Sequence, residues 1–193
     1  ANAGFISAGS SARSVTYSAA DTGIVYGEGR TASDAQSDST AYGATLGEGH
    51  NRYDNSSRME VLATGLASAS AYSDGADIWN GNAQSRAGAA ITNAAIGILA
   101  GQGNNFVLNT GDLSVAIQKT EPDLAMAVAS ATADGDGADG DGWGLAAAVA
   151  DAKAAGIVVG DGANNIANTG IITVKSEPTA GAWVNVDGDN TGN

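Results

Sequence analysis

The sequence predicts an all-β fold built on a long internal repeat. Three observations carry the prediction: a glycine- and asparagine-rich motif that recurs three times, runs in which every second residue is alanine, and Asp-Gly turns between copies. Aligned on Gly43, Gly97 and Gly156, spaced by 54 and 59 residues, the copies place a second glycine at Gly47, Gly101 and Gly160 and a third at Gly49, Gly103 and Gly162. Two asparagine columns follow, Asn51, Asn105, Asn164 and Asn55, Asn109, Asn168, and then two apolar columns, Met59, Leu113, Ile172 and Val61, Val115, Val174. So many coincident columns mark a true structural repeat.

Taken in order, a degenerate copy occupies residues 13–42, keeping Gly23, Gly27 and Gly29 but not the asparagines. The first core, 43–61, leads into Leu66 to Tyr72, where alanine alternates with other residues and predicts a strand, because period two is the strand signature. Asp74-Gly-Ala-Asp77 then reads as a turn, with Trp79 and Gly81 beyond it. The second core, 97–115, is followed by the alternating run Leu124 to Ala133, the acidic turn Asp134 to Asp141, Trp143 and Gly144. The segment from Gly144 to Ala155 has the alanine content of a helix. It is read as strand, because its even positions from Ala146 to Ala154 continue the alternation, and the equivalent stretch before Gly97 contains Ile91-Thr92-Asn93, a poor helix. The third core, 156–174, ends in the β-branched segment Ile171 to Lys175, and its tail closes at Val184 to Asp189. Glycines at fixed turn positions supply positive φ where the chain reverses.

The 193 residues form a single repetitive domain, 1–193, with 21 acidic against 8 basic residues and a net charge of −13. Polyphosphate partners need a basic patch, so nucleic acid is excluded as a partner, and no apolar run suits membrane insertion. The chain has no cysteine and one histidine, His50, which removes thiol chemistry and most transition-metal sites. Cysteine-free, rich in Gly, Ala, Asn, Asp and Ser, the composition suits an extracellular or cell-surface protein. Ala1 to Ser11 lacks the basic start and apolar run of a signal peptide, and the small Ala1 and Ala3 suit the start of a mature chain.

An all-alanine strand face buries little apolar area per residue, so stability has to come from many stacked ladders rather than a bulky core. That is the logic of a parallel β-solenoid (β-helix), in which identical asparagines stack and satisfy one another. The segment Gly156 to Val174, Gly-Ile-Val-Val-Gly-Asp-Gly-Ala-Asn-Asn-Ile-Ala-Asn-Thr-Gly-Ile-Ile-Thr-Val, resembles the repeats of bacterial β-helix-type repetitive surface proteins, such as autotransporter passengers and large adhesins. The resemblance implies an extracellular role. The period is longer than a rung of roughly 20 to 25 residues, so each unit is expected to hold two or three rungs. The structural alternative is a β-sandwich-like fibre subunit.

Several groups are candidates for chemistry. Asp134, Asp136, Asp139 and Asp141, with the related pairs Asp74, Asp77 and Asp187, Asp189, offer hard oxygen ligands to calcium, the one cofactor expected, against a solvated turn with its charges outward. The asparagine columns read as structural amides rather than a sugar site. The Gly-x-x-x-Gly-x-Gly turns lack the Gly-Lys-Ser or Gly-Lys-Thr of a phosphate loop. Glu48, His50 and Asp54 lie close in sequence, but the other copies carry Asn104 and Ala163 at the histidine position, so the cluster reads as turn variation. Trp79 and Trp143 are expected to pack over the alanine sheet or at a subunit contact, with sugar stacking as the alternative. No catalytic residues are expected: Arg52, Arg58, Lys119 and Lys153 do not gather with carboxylates as a polysaccharide-cleaving site requires. The expected function is an extracellular structural protein that self-assembles into a surface filament, sheath or stalk through β-strand contacts, partnered by itself. The alternative is a monomeric calcium-stabilised adhesin or carbohydrate-binding module on surface glycans.

Overall fold

The computed structural model describes residues 3–22, 28–75, 82–117, 126–135 and 141–188. Among them there is no helix, and the alternation read from the sequence becomes strand wherever it is described, including the alanine-rich segment that intrinsic propensity alone would make helical; Leu124 and Ala125 of the second run lie outside the described residues. The strands are β1 (Ile6–Thr22), β2 (Glu28–Leu46), β3 (Asn51–Asn55), β4 (Met59–Gly75), β5 (Asn82–Ala100), β6 (Asn105–Asn109), β7 (Leu113–Ile117), β8 (Met126–Gly135), β9 (Gly142–Val159), β10 (Asn165–Asn168), β11 (Ile172–Ser176) and β12 (Thr179–Gly188).

All pairings are parallel and fall into three sheets. β2, β5 and β9 form one long sheet, β3, β6 and β10 a short one. The third, also long, has β4 between β1 on one side and β7 and β8 on the other, with β11 and β12 beyond them. Register follows the repeat: Tyr42 pairs with Ile96, Asn51 with Asn105, and Met59 with Leu113, which pairs in turn with Ile172. A residue's lateral neighbour is therefore its own counterpart one copy later. Each repeat makes one layer, not the two or three expected, because strands of up to 19 residues, about 60 Å long, use the whole unit in one circuit.

The register also explains the unequal spacing. Ala63 pairs with Ile117 and Leu66 with Met126, so two residues of β4 stand against the eight residues 118–125. The third repeat returns to two, 177–178. The second copy thus carries a six-residue insertion, and the link into β9 is one residue shorter than the link into β5, leaving a net shift from 54 to 59.

The two long sheets face each other, and their facing residues are small. Ser37 Oγ donates to the carbonyl of Ala12 at 2.8 Å, Ser39 Oγ to that of Ser10 at 2.9 Å, and Ser85 Oγ to that of Ala71 at 2.7 Å. A serine hydroxyl cannot span ordinary stacked sheets about 10 Å apart, so these bonds require a closer approach. Ala67, Ala69, Ala71, Ala127, Ala129, Ala131 and Ala133 are buried there. Toward the short sheet the filling becomes larger, with Met59, Val61, Leu113, Val115, Ile117, Ile98 and Val107 fully buried. The interior is a wedge, narrow at the alanine end.

Glycine and large residues are matched across this wedge. A Cβ on Gly97 would lie 2.8 and 2.9 Å from the two Cδ atoms of Leu113, and one on Gly156 2.7 Å from Ile172 Cγ2. The first glycine column of the repeat is therefore the seat of its first apolar column. At the narrow end the third layer trades volume: Val184 and Val186 take the places of Ala131 and Ala133, and Gly142 and Gly144 those of Ala83 and Ser85. Cβ atoms on Gly142 and Gly144 would meet Val186 Cγ1 at 2.7 Å and Val184 Cγ1 at 2.6 Å. The third glycine column has the positive φ expected of a reversing chain, 105° at Gly49, 117° at Gly103 and 132° at Gly162. Gly23 and Gly27 of the degenerate copy lie outside the described residues, and Gly29 lies within β2 opposite Ala83.

Candidate functional site

The best-defined polar construction is the inner face of the short sheet. Along β3, β6 and β10, counting Asn164 just before β10, the inward positions read asparagine, then Tyr53, Val107 or Ile166, then asparagine, so two amide ladders flank that central column. Asn51 Nδ2 donates to Asn105 Oδ1 at 2.9 Å, and Asn105 Nδ2 to Asn164 Oδ1 at 2.9 Å. In the second ladder Asn55 Nδ2 donates to Asn109 Oδ1 and Asn109 Nδ2 to Asn168 Oδ1, both at 2.7 Å. The second amide hydrogens turn to the chain itself: Asn51, Asn105 and Asn164 donate to the carbonyls of Gly47, Gly101 and Gly160. The asparagine columns are structural amides, as read from the sequence, and each ladder has a direction, donor to acceptor from the first layer to the third.

The third layer leaves the core open. Val107 is 0% exposed, whereas its neighbour Ile166 in β10 is 46% exposed; Val115 is 0% and its neighbour Val174 in β11 is 45%. Val184 and Val186, which face Gly144 and Gly142, are about half exposed as well. Among the described residues no strand covers the outer edges of β9, β10, β11 or β12, so their outward backbone N–H and C=O groups have no ladder partner there. Sequence reasoning pointed to β-strand contacts between copies in general. It missed this particular rim, which becomes visible only once one repeat is known to equal one layer.

Of the eight candidate calcium ligands, Asp77, Asp136, Asp139 and Asp189 lie outside the described residues. Asp74, Asp134 and Asp187 stand in register on β4, β8 and β12, and the register continues to Asp21 of β1. Such a column spaces carboxylate-bearing positions by about 4.8 Å, and like charges directly opposite one another are unfavourable. Asp141 precedes β9, where its N–H donates to Asn82 Oδ1 at 3.2 Å. Among the described residues no three His, Cys, Asp or Glu side chains converge into a group able to hold an ion. Glu48 and His50 are exposed on a bend, while Asp54 binds Arg52, Nε to Oδ2 at 3.2 Å. That guanidinium also lies over the Phe106 ring, 4.7 Å from its centroid.

Trp143 does not pack over the alanine interior. It projects from the outer face of β9, 53% exposed, because the inward positions beside it are Gly142 and Gly144. It shares a shallow groove with Arg30, Ala32, Gln84 and Arg86. Trp79 lies outside the described residues. Burial penalises the anion of the Tyr53 phenol and raises its pKa above the ordinary 10.0. No family model matches the sequence, and neither a curated protein nor a solved structure matches it.

Proposed function

We propose that this chain is a β-solenoid subunit of an extracellular structural assembly, a surface filament, sheath or stalk, that grows by adding copies of itself through open strand edges. The observation that carries the reading is the third layer, whose apolar columns and amide ladders continue the buried second layer and then stop half exposed. Apolar surface cut open in this way is the signature of an interface rather than a finished surface. The other end offers a matching face: among the described residues β2 and β3 have no neighbour on their outer sides, and in the ladder that Asn51 opens by donating to Asn105 and Asn164 closes by accepting from Asn105, an added copy can donate to Asn51 Oδ1 or accept from Asn164 Nδ2. A head-to-tail contact of this kind is heterologous and does not close, so it yields a fibre. Nothing in the reading calls for catalysis, and its kinship with β-helix-type surface proteins rests on the motif and the layer geometry alone.

Sedimentation velocity over a hundredfold range of concentration tests the proposal. The chain is expected to form species that grow with concentration, and Ile166→Lys, which places a charge on the exposed rim, is expected to hold it as a monomer. A wild-type chain that stays monomeric at millimolar concentration, with or without calcium, contradicts the proposal and favours the adhesin.

A further inference from the structure

The outer face of the β2–β5–β9 sheet carries a second feature that assembly through strand edges does not use. Its register brings Arg30 of β2, Gln84 of β5 and Trp143 of β9 into one row, and Ala32, Arg86 and Leu145 into the next. These rows border a shallow groove of about 370 Å³. Two of the chain's few cationic side chains thus converge beside an exposed indole on a molecule of net charge −13. Arg30 spends part of its charge on Glu28 at 2.9 Å in a largely exposed pair, which costs little to break. Arg86 makes no ion pair among the described residues. Ala32 beside Arg86 in the second row is small, and the Trp143 indole is 53% exposed at the groove's border.

We propose that this groove binds an acidic saccharide, with a pyranose ring stacked on Trp143, its carboxylate on the Arg86 guanidinium, and Gln84 bonding ring hydroxyls. An exposed aromatic face accepts the C–H surface of a sugar, and a guanidinium matches a carboxylate in planar, two-pronged fashion. The amide supplies both a donor and an acceptor to hydroxyls. The overall negative charge selects among anions: a densely sulfated polymer is repelled by the rest of the surface, whereas a ligand with one carboxylate per ring satisfies the groove locally. The site is independent of the assembly reading, since it lies on the outer face of the sheet and all its residues come from one copy of the chain.

The test is calorimetric titration of the whole chain and of its Trp143→Ala, Arg86→Ala and Tyr17→Ala variants. The probes are a uronic-acid oligosaccharide, its neutral methyl ester, a sulfated polysaccharide and an acidic peptide. The uronic oligosaccharide is expected to bind, and the methyl ester to bind about tenfold more weakly, as loss of one charge-assisted contact implies. Trp143→Ala and Arg86→Ala should each weaken binding by about tenfold or more, while Tyr17→Ala, on the opposite sheet, leaves it unchanged. All three substituted side chains are exposed, and Arg86→Lys, which keeps the charge but not the fork, should recover binding only in part. The proposal is overturned by no binding of the uronic oligosaccharide at millimolar concentration. It is equally overturned by binding that survives both groove variants, or by preference for the sulfated polymer or the peptide.

Discussion

Asn109 sits at the centre of its ladder, wholly buried, accepting from Asn55, donating to Asn168 and turning its other hydrogen to the carbonyl of Gly111 at 3.1 Å. Replacing it with alanine strands a buried donor on one side and an acceptor on the other, so Asn109→Ala is predicted to cost about 2–4 kcal/mol in urea unfolding. Asn168→Ala, at the solvent-facing end of the same ladder, should cost about 1 kcal/mol or less, because water replaces the lost partner. Equal costs at the two positions would mean that the ladder is not a buried network. Tyr53 supplies a pH test. Its phenol is raised by burial and its hydroxyl has no hydrogen-bond partner, so the folded state holds its proton while the unfolded chain loses it near pH 10. The folded state then binds more protons above that pH, and stability must fall as pH rises through this window. Tyr53→Phe is expected to flatten that alkaline loss and to leave stability at pH 7 unchanged or slightly higher, as thermal melts from pH 7 to 11 would record.

At the scale of the strand, the glycine columns are predictions about pairs. Gly144→Ala would drive a methyl into Val184, and overpacking of this kind costs about 1–3 kcal/mol. Val184→Ala removes the obstacle and reproduces the small-on-small filling that Ser85 and Ala131 make one layer earlier. The double variant should therefore recover most of the loss, and a double-mutant cycle in urea showing simple additivity would contradict the matched-volume account. Much of this was legible in the sequence. Period-two alanine specified strands even over Gly144 to Ala155, where propensity favoured helix, because alternation reports which face is buried and propensity only how easily a helix forms. The coincident Asn columns likewise announced stacked amides. What the sequence concealed was pairing between facing sheets: that Gly97 makes room for Leu113 follows from the packing of β7 against β5, and no local pattern encodes it. That Trp143 stands outside the alanine interior was hidden for the same reason, since an exposed indole and a buried one have the same sequence signature.

For the molecule as a whole, the decisive number was the layer count. A unit of 54 to 59 residues suggested several short rungs, whereas strands as long as 19 residues let it close in one. The open third layer, and with it the groove beneath Trp143, can be placed only after that. The layer count also bears on assembly. Among the described residues β1 gives its own sheet a fourth layer, while the β2 and β3 sheets have three each, so β1 projects beyond the face that an incoming copy must meet. A chain beginning at Gly23 presents three equal layers and is predicted to assemble at a lower concentration than the full chain. A higher threshold on sedimentation would instead make β1 the docking strand. The acidic column through Asp74, Asp134 and Asp187 adds an ionic dependence, since like charges repeated along a fibre axis favour any condition that screens them. The most direct test of the central claim is negative-stain electron microscopy of the purified chain in parallel samples with millimolar calcium and with chelator. The account predicts fibres whose strands run across the long axis, and their loss on chelation would place an ion at the Asp-Gly turns. Isolated particles in both samples would contradict self-assembly.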